Sequence, residues 1–111
     1  MASPAILVLS TAGSAEQAEA IANALVEQAL AACVNIIGPM RSIYRWRGAV
    51  EREQEWLLLI KSEAEQLARL ERCVRELHSY EVPEIITLPI TGGSADYLAW
   101  LSSELADASG A

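Results

Sequence analysis

The stretch "ELHSYEVPEI", residues 76–85, holds the only histidine of the chain. His78 is followed closely by Tyr80, Glu81 and Glu84, with Pro83 between the two acids. Imidazole and carboxylate are ligands for Cu²⁺ or Zn²⁺, and Cys33, near the start of a candidate strand, offers a soft thiolate for Cu(I). Each has a structural alternative. A histidine suits a helix C-terminus electrostatically, and Pro83 suits a helix stop. A free cysteine is commonly a small buried hydrophobe. One histidine without a second, or without paired cysteines, falls short of the three or four ligands of a stable transition-metal site.

Other chemistry-bearing residues lie further off. Lys61 ends an apolar run, where it either snorkels or pairs with Glu81 in a cleft. Tyr44, Trp46 and Trp56 can wall a small-ligand cavity or fill a contact between subunits. Glu51, Glu53 and Glu55 read as a solvated strand face, paired with arginines or gathering cations loosely. Gly92-Gly93-Ser94 lacks the phosphate-loop pattern and reads as a turn with an N-cap. A hydrolytic triad has no support from one histidine, and no nucleophile elbow is present. No arginine precedes Arg41, which removes the acylphosphatase route. A cleft enzyme using Tyr80, Glu81 and Lys61 is the catalytic alternative.

These side chains must be positioned by a repeated plan. Residues 5–11 (AILVLST) form a short apolar run suited to a buried strand. Ser14 and Gln17 then read as a capping box, and Ala18, Ile21, Ala22, Leu25 and Ala29 as the apolar stripe of a helix. "CVNIIG" supplies the next strand. The second half repeats the order: strand 56–61 (WLLLIK), a capping box at Ser62 and Glu65, a stripe of Leu67, Leu70, Val74 and Leu77, then the strand "EIITLPI". β-α-β twice over is the α+β, ferredoxin-like split βαβ sandwich. "TGGS" leads to an extra C-terminal helix over 94–106, with Leu98, Leu101 and Leu105 on one face. One domain over 1–111 fits the length.

A long β-hairpin joins the halves. Its period of two places Ser42, Tyr44 and Trp46 on one side and Arg41, Ile43, Arg45 and Arg47 on the other. A two-residue turn at Gly48-Ala49 would set Arg45 against Arg52. A three-residue loop would pair Arg45 with Glu51 and Arg41 with Glu55, the better arrangement by charge. The strands outrun what small helices can cover, and such edges aggregate unless paired, so a closed symmetric oligomer is expected.

Composition bounds the partners. Apolar residues are 52% and charged residues 21%, an ordinary globular balance. Fifteen acids against eight Lys and Arg give a net charge of −7, which argues against a nucleic-acid partner. Cys33 and Cys73 form no disulfide framework and suit a reducing compartment. No targeting signal or membrane span is legible, so a cytoplasmic protein is expected.

The ordered set ACVN, S-x-Y-x-W-x-G, E-x-x-x-E, IK, Y-E-x-P-E, P-I and Y-L-x-W resembles the CutA family of divalent-cation tolerance proteins across nearly the whole chain. Ser79 stands where that family usually has the proline of H-P-Y-E. The resemblance implies a tight homotrimer similar to the PII signalling proteins, with clefts between subunits. It also implies a part in tolerance of divalent metals, copper above all, with no settled enzymatic reaction. The expected ligand cleft is Tyr44, Trp46, Lys61, Tyr80, Glu81 and Glu84. The expected metal ligands are Cys33, His78 and Glu81, for copper or another divalent cation, with no resident cofactor required. A rigid trimeric scaffold for an unknown protein partner is the alternative.

Overall fold

The computed structural model describes residues 3–107; residues 1–2 and 108–111 of the expected domain lie outside the described residues. In chain order the elements are β1 (Ala5–Ala12), α1 (Ala15–Glu27), β2 (Cys33–Trp46), β3 (Ala49–Glu63), α2 (Leu67–Leu77), β4 (Ile86–Pro89) and α3 (Ala95–Ser103), with a 3₁₀ turn at Ala64–Gln66 before α2. The four strands form one sheet in the order β2-β3-β1-β4. All its pairings are antiparallel. This is the expected ferredoxin-like α+β plan, with the long hairpin and the extra helix.

Local chemistry sets the ends of the elements. The Ser14 hydroxyl accepts the Gln17 N–H at 3.1 Å, which fixes the start of α1. The helix ends at Glu27; Ala29, expected on its stripe, lies past it with φ 56°. The second capping box does not form. β3 runs on to Glu63, and the buried Ser62 hydroxyl donates to the Leu30 carbonyl at 2.7 Å instead. α2 ends at Leu77, well before Pro83, because His78 turns extended at φ −75°, ψ 139°. α3 is shorter than expected, with Ser94 capping it through the Tyr97 N–H.

Alternation along the strands splits the sheet into two faces. Ile6, Val8, Leu58 and Ile60 point to the helices and form the core with Ile21 and Leu25 of α1 and Leu70 and Val74 of α2. The opposite face carries cross-strand rows: Cys33, Lys61, Leu7 and Leu88, then Asn35, Leu59, Leu9 and Ile86, then Ile37, Leu57 and Thr11. Neither α1 nor α2 covers these rows. Ile37, Ile86 and Leu88 are 52%, 50% and 40% exposed.

The hairpin register differs from both expected ones. The turn is Arg47-Gly48, with φ of 50° and 83°, so both central residues adopt the left-handed conformation of a type I′ turn. Tyr44 then opposes Glu51, Arg45 opposes Val50, and Arg41 opposes Gln54. The arginine–glutamate pairings are therefore absent, because the loop has two residues rather than three. A second displacement occurs between Ile37 and Met40, where Gly38 and Pro39 together face Trp56. This β-bulge inserts one residue and flips the alternation of β2. Gly38 is required there, since a Cβ would overlap the Trp56 ring.

Candidate functional site

The bulge decides which residues meet. Beyond it Met40, Ser42, Tyr44 and Trp46 share a face with Glu55, Glu53, Glu51 and Ala49. Arg41, Arg45 and Arg52 lie on the other. The hairpin is thus a ribbon with an acidic, aromatic side and a basic side. The acidic side is continuous with the open sheet face, since Glu55 follows the parity of Leu57 and Leu59.

The segment after α2 folds across the end of β1 and closes a cavity against that side. His78 anchors it. Its Nε2 lies 2.6 Å from the Thr11 carbonyl oxygen, which can only accept, so the proton sits on Nε2. Nδ1 accepts the Tyr80 N–H at 3.0 Å. Both ring nitrogens are engaged by backbone, which makes this histidine a clasp between β1 and the turn. Tyr80 stacks obliquely on the imidazole, with ring centroids 4.6 Å apart. Its hydroxyl donates to Glu55 Oε2 at 2.8 Å.

Glu55 is 7% exposed, so the Tyr80 bond satisfies a carboxylate taken largely out of water. Burial first, then the hydrogen bond to Glu55 and its negative charge, push the Tyr80 phenol well above the usual tyrosine range. Burial, with Glu55 nearby, likewise raises the Glu84 carboxyl. The Tyr44 phenol is raised by desolvation and by the charges of Glu53, Glu55 and Glu51. The cavity has a volume of about 670 Å³, and its wall includes Thr11, Tyr44, Trp46, Glu55, Tyr80 and Glu84, with Glu81 beside them.

Five of the six expected ligand residues therefore converge: Tyr44, Trp46, Tyr80, Glu81 and Glu84. Lys61 does not join them. Its ammonium points to α3 instead, 3.3 Å from the Tyr97 hydroxyl and 5.6 Å from the centre of that ring. It stands opposite Leu7, two rows along β1 from Thr11. The partner of Glu81 is Arg47, whose Nη2 lies 2.8 Å from Glu81 Oε2. Cys33 lies directly across from Lys61 and contacts Asn35, away from the cavity. Cys33, His78 and Glu81 are not brought together, and no three His, Cys, Asp or Glu side chains among the described residues are placed to hold a metal ion.

Sequence reasoning missed Glu55 as a buried acceptor, Thr11 as the anchor of the turn, and Arg47 as the neighbour of Glu81. The E-x-x-x-E spacing marked Glu55 without showing its burial. Trp56, expected in an aromatic contact, is packed against the core beneath the bulge.

A four-stranded ferredoxin-like sheet with one face left open and a tyrosine–carboxylate cleft at the root of its hairpin defines a class of small α+β proteins. The family profile described as "CutA1 divalent ion tolerance protein" matches residues 6–104, and the chain belongs to that family. A protein of Thermus thermophilus called divalent-cation tolerance protein CutA is 52% identical over 95 residues, 86% of this chain and 92% of that one. An Arabidopsis thaliana protein called CutA, chloroplastic, is 45% identical over 100 residues, 90% of this chain and 55% of that one. Among solved structures, a divalent cation tolerance protein of Thermus thermophilus superposes with a TM-score of 0.90 at 48% identity. That match covers 92% of this chain and 99% of that one. No helix among the described residues is long and apolar enough to cross a membrane.

Proposed function

We propose that this chain is the single-domain subunit of a cytoplasmic homotrimer that serves divalent-cation tolerance, copper above all, without catalysing a reaction. Three copies cover one another's open sheet faces, in the manner of PII-like signalling proteins. Each cleft of Tyr44, Trp46, Tyr80, Glu81 and Glu84 then lies beside a neighbouring subunit and takes a cation or a small ligand. The observation that carries this reading is the continuity of the open apolar face with the acidic side of the hairpin. Covering the first places the second at a subunit boundary. Family membership supplies the link to divalent cations.

The residues of one chain do not fit a dedicated copper centre. His78 has no free nitrogen, and Cys33 stands apart from Glu81. A cation met by this protein would be held by Glu81 and Glu84 with groups of a neighbouring chain, more loosely than in a closed three- or four-ligand site. The same geometry favours a second reading, a rigid trimeric scaffold whose effect on metal tolerance runs through a protein partner. Calorimetric titration of Cu²⁺ into the assembled protein separates the two. Tight, stoichiometric binding that Glu81→Gln weakens supports the cleft. Weak heat without a defined stoichiometry, unchanged by Glu81→Gln, supports the scaffold.

A further inference from the structure

We propose that the cleft is a receptor for a small organic cation with a planar guanidinium head, and that Arg47 of the same chain occupies its mouth in the ligand's stead. This rests on the cleft reading above and names the ligand class.

Arg47 shows what the mouth recognises. Its guanidinium carbon lies 5.0 Å from the centre of the Trp46 ring, and its Nη2 lies 2.8 Å from Glu81 Oε2. A flat cation is thus met by a π face and a carboxylate together, and both Trp46 and Glu81 line the cavity. The contact is easily exchanged, because the Arg47 and Glu81 side chains are 68% and 73% exposed. Behind the mouth the cavity of about 670 Å³ has room for a molecule far larger than a bare ion.

The wall selects for charge type. Glu51, Glu53 and Glu55 lie on one side of the ribbon, and their charges contribute to holding the Tyr44 phenol up. The cavity therefore attracts cations in general. A hard divalent ion finds poor ligands in it. Glu55 is committed to the Tyr80 hydroxyl, and no three His, Cys, Asp or Glu side chains among the described residues are placed to hold a metal ion. A guanidinium is delocalised and weakly hydrated, so it loses less on leaving water than a compact ion and gains from the aromatic wall.

The test is calorimetric titration of the full chain with agmatine, with putrescine (the diamine lacking the guanidinium) and with Cu²⁺. The Trp46 indole N–H resonance reports where agmatine sits. Arg47→Asn removes the competing cation and keeps an Asn-Gly pair suited to the type I′ turn. Agmatine is expected to shift the Trp46 resonance, to bind Arg47→Asn about tenfold more tightly than the parent, and to bind Glu81→Gln about tenfold more weakly. Putrescine is expected to bind more weakly than agmatine. Glu81 is exposed, so its isosteric variant tests the site without disturbing the fold.

Agmatine affinity that is equal in the three proteins, or absent from all of them, overturns the proposal, as does putrescine binding as tightly as agmatine. Stoichiometric Cu²⁺ binding with agmatine silent overturns the ligand class and leaves the cleft reading standing. Silence of both removes the cleft reading as well.

Discussion

Tyr80 and His78 hold the cleft by different means, and each can be tested alone. The Tyr80 hydroxyl satisfies Glu55, which is almost wholly buried. Tyr80→Phe leaves that carboxylate without its donor and is expected to lower stability by about 1–3 kcal/mol in denaturant unfolding at neutral pH. The folded protein holds the phenol above its ordinary value of 10.0. Its stabilising contribution is therefore complete below pH 10.0 and is lost as pH rises through the higher folded-state value. The gap between parent and variant should narrow in that alkaline window; a gap that widened would contradict the assignment. His78→Ala removes the imidazole contacts to the Thr11 carbonyl and the Tyr80 N–H. Faster amide exchange at Tyr80, with a stability loss of about 1–3 kcal/mol, is the expected outcome. Unchanged exchange would mean that the turn holds itself. The sequence singles out His78 and Tyr80 by type, yet leaves the histidine open between a ligand and a helix-end residue. Its two backbone partners include Thr11, 67 positions away, and no local pattern discloses such a pairing.

Among the elements, the hairpin carries most of the departures from the sequence reading. Strands and helices are legible because burial on one face leaves a period: the stripe Ala18, Ile21 and Leu25 is buried as expected, and so is Val8 with Leu58 and Ile60. Hairpin register is not legible. Charge pairing favours a loop that sets Arg41 against Glu55, whereas the structure places an arginine in the left-handed conformation at the tip. Arg47 has no intrinsic preference for that conformation. Its contact with Glu81 exists only once the turn after α2 has folded back. The bulge is also hidden, since Gly38-Pro39 reads as an ordinary strand end. It nevertheless keeps Tyr44 and Trp46 on the side of Thr11. Gly38→Ala forces a methyl group into the Trp56 ring, and the expected cost of such overpacking is about 1–3 kcal/mol. Circular dichroism and denaturant unfolding of that variant check this, and near-parental stability would show that the ring has room to move.

At the scale of the whole molecule, the fold puts α1 and α2 on one side of the sheet and leaves Leu7, Leu9, Leu57 and Leu59 on the other, with Ile37, Ile86 and Leu88 well exposed. Apolar surface so arranged marks an interaction face. The overhanging hairpin is one reason to propose an oligomer. The open face supplies the stronger reason, because it joins the hairpin's acidic side in one continuous surface. Burying it would give the cleft its neighbour and the hairpin its partner at once. Leu59 sits in the middle row of this face, between Asn35 and Leu9, so Leu59→Glu places a charge at its centre while leaving the helix-side core untouched. Sedimentation equilibrium of parent and Leu59→Glu over a wide range of chain concentration is the most direct measurement. The expected result is a parent of three chains that resists dilution, and a variant that is folded, helical and smaller. A parent that sediments as a stable folded monomer at every concentration would contradict the assembly, and with it the placing of the cleft between subunits.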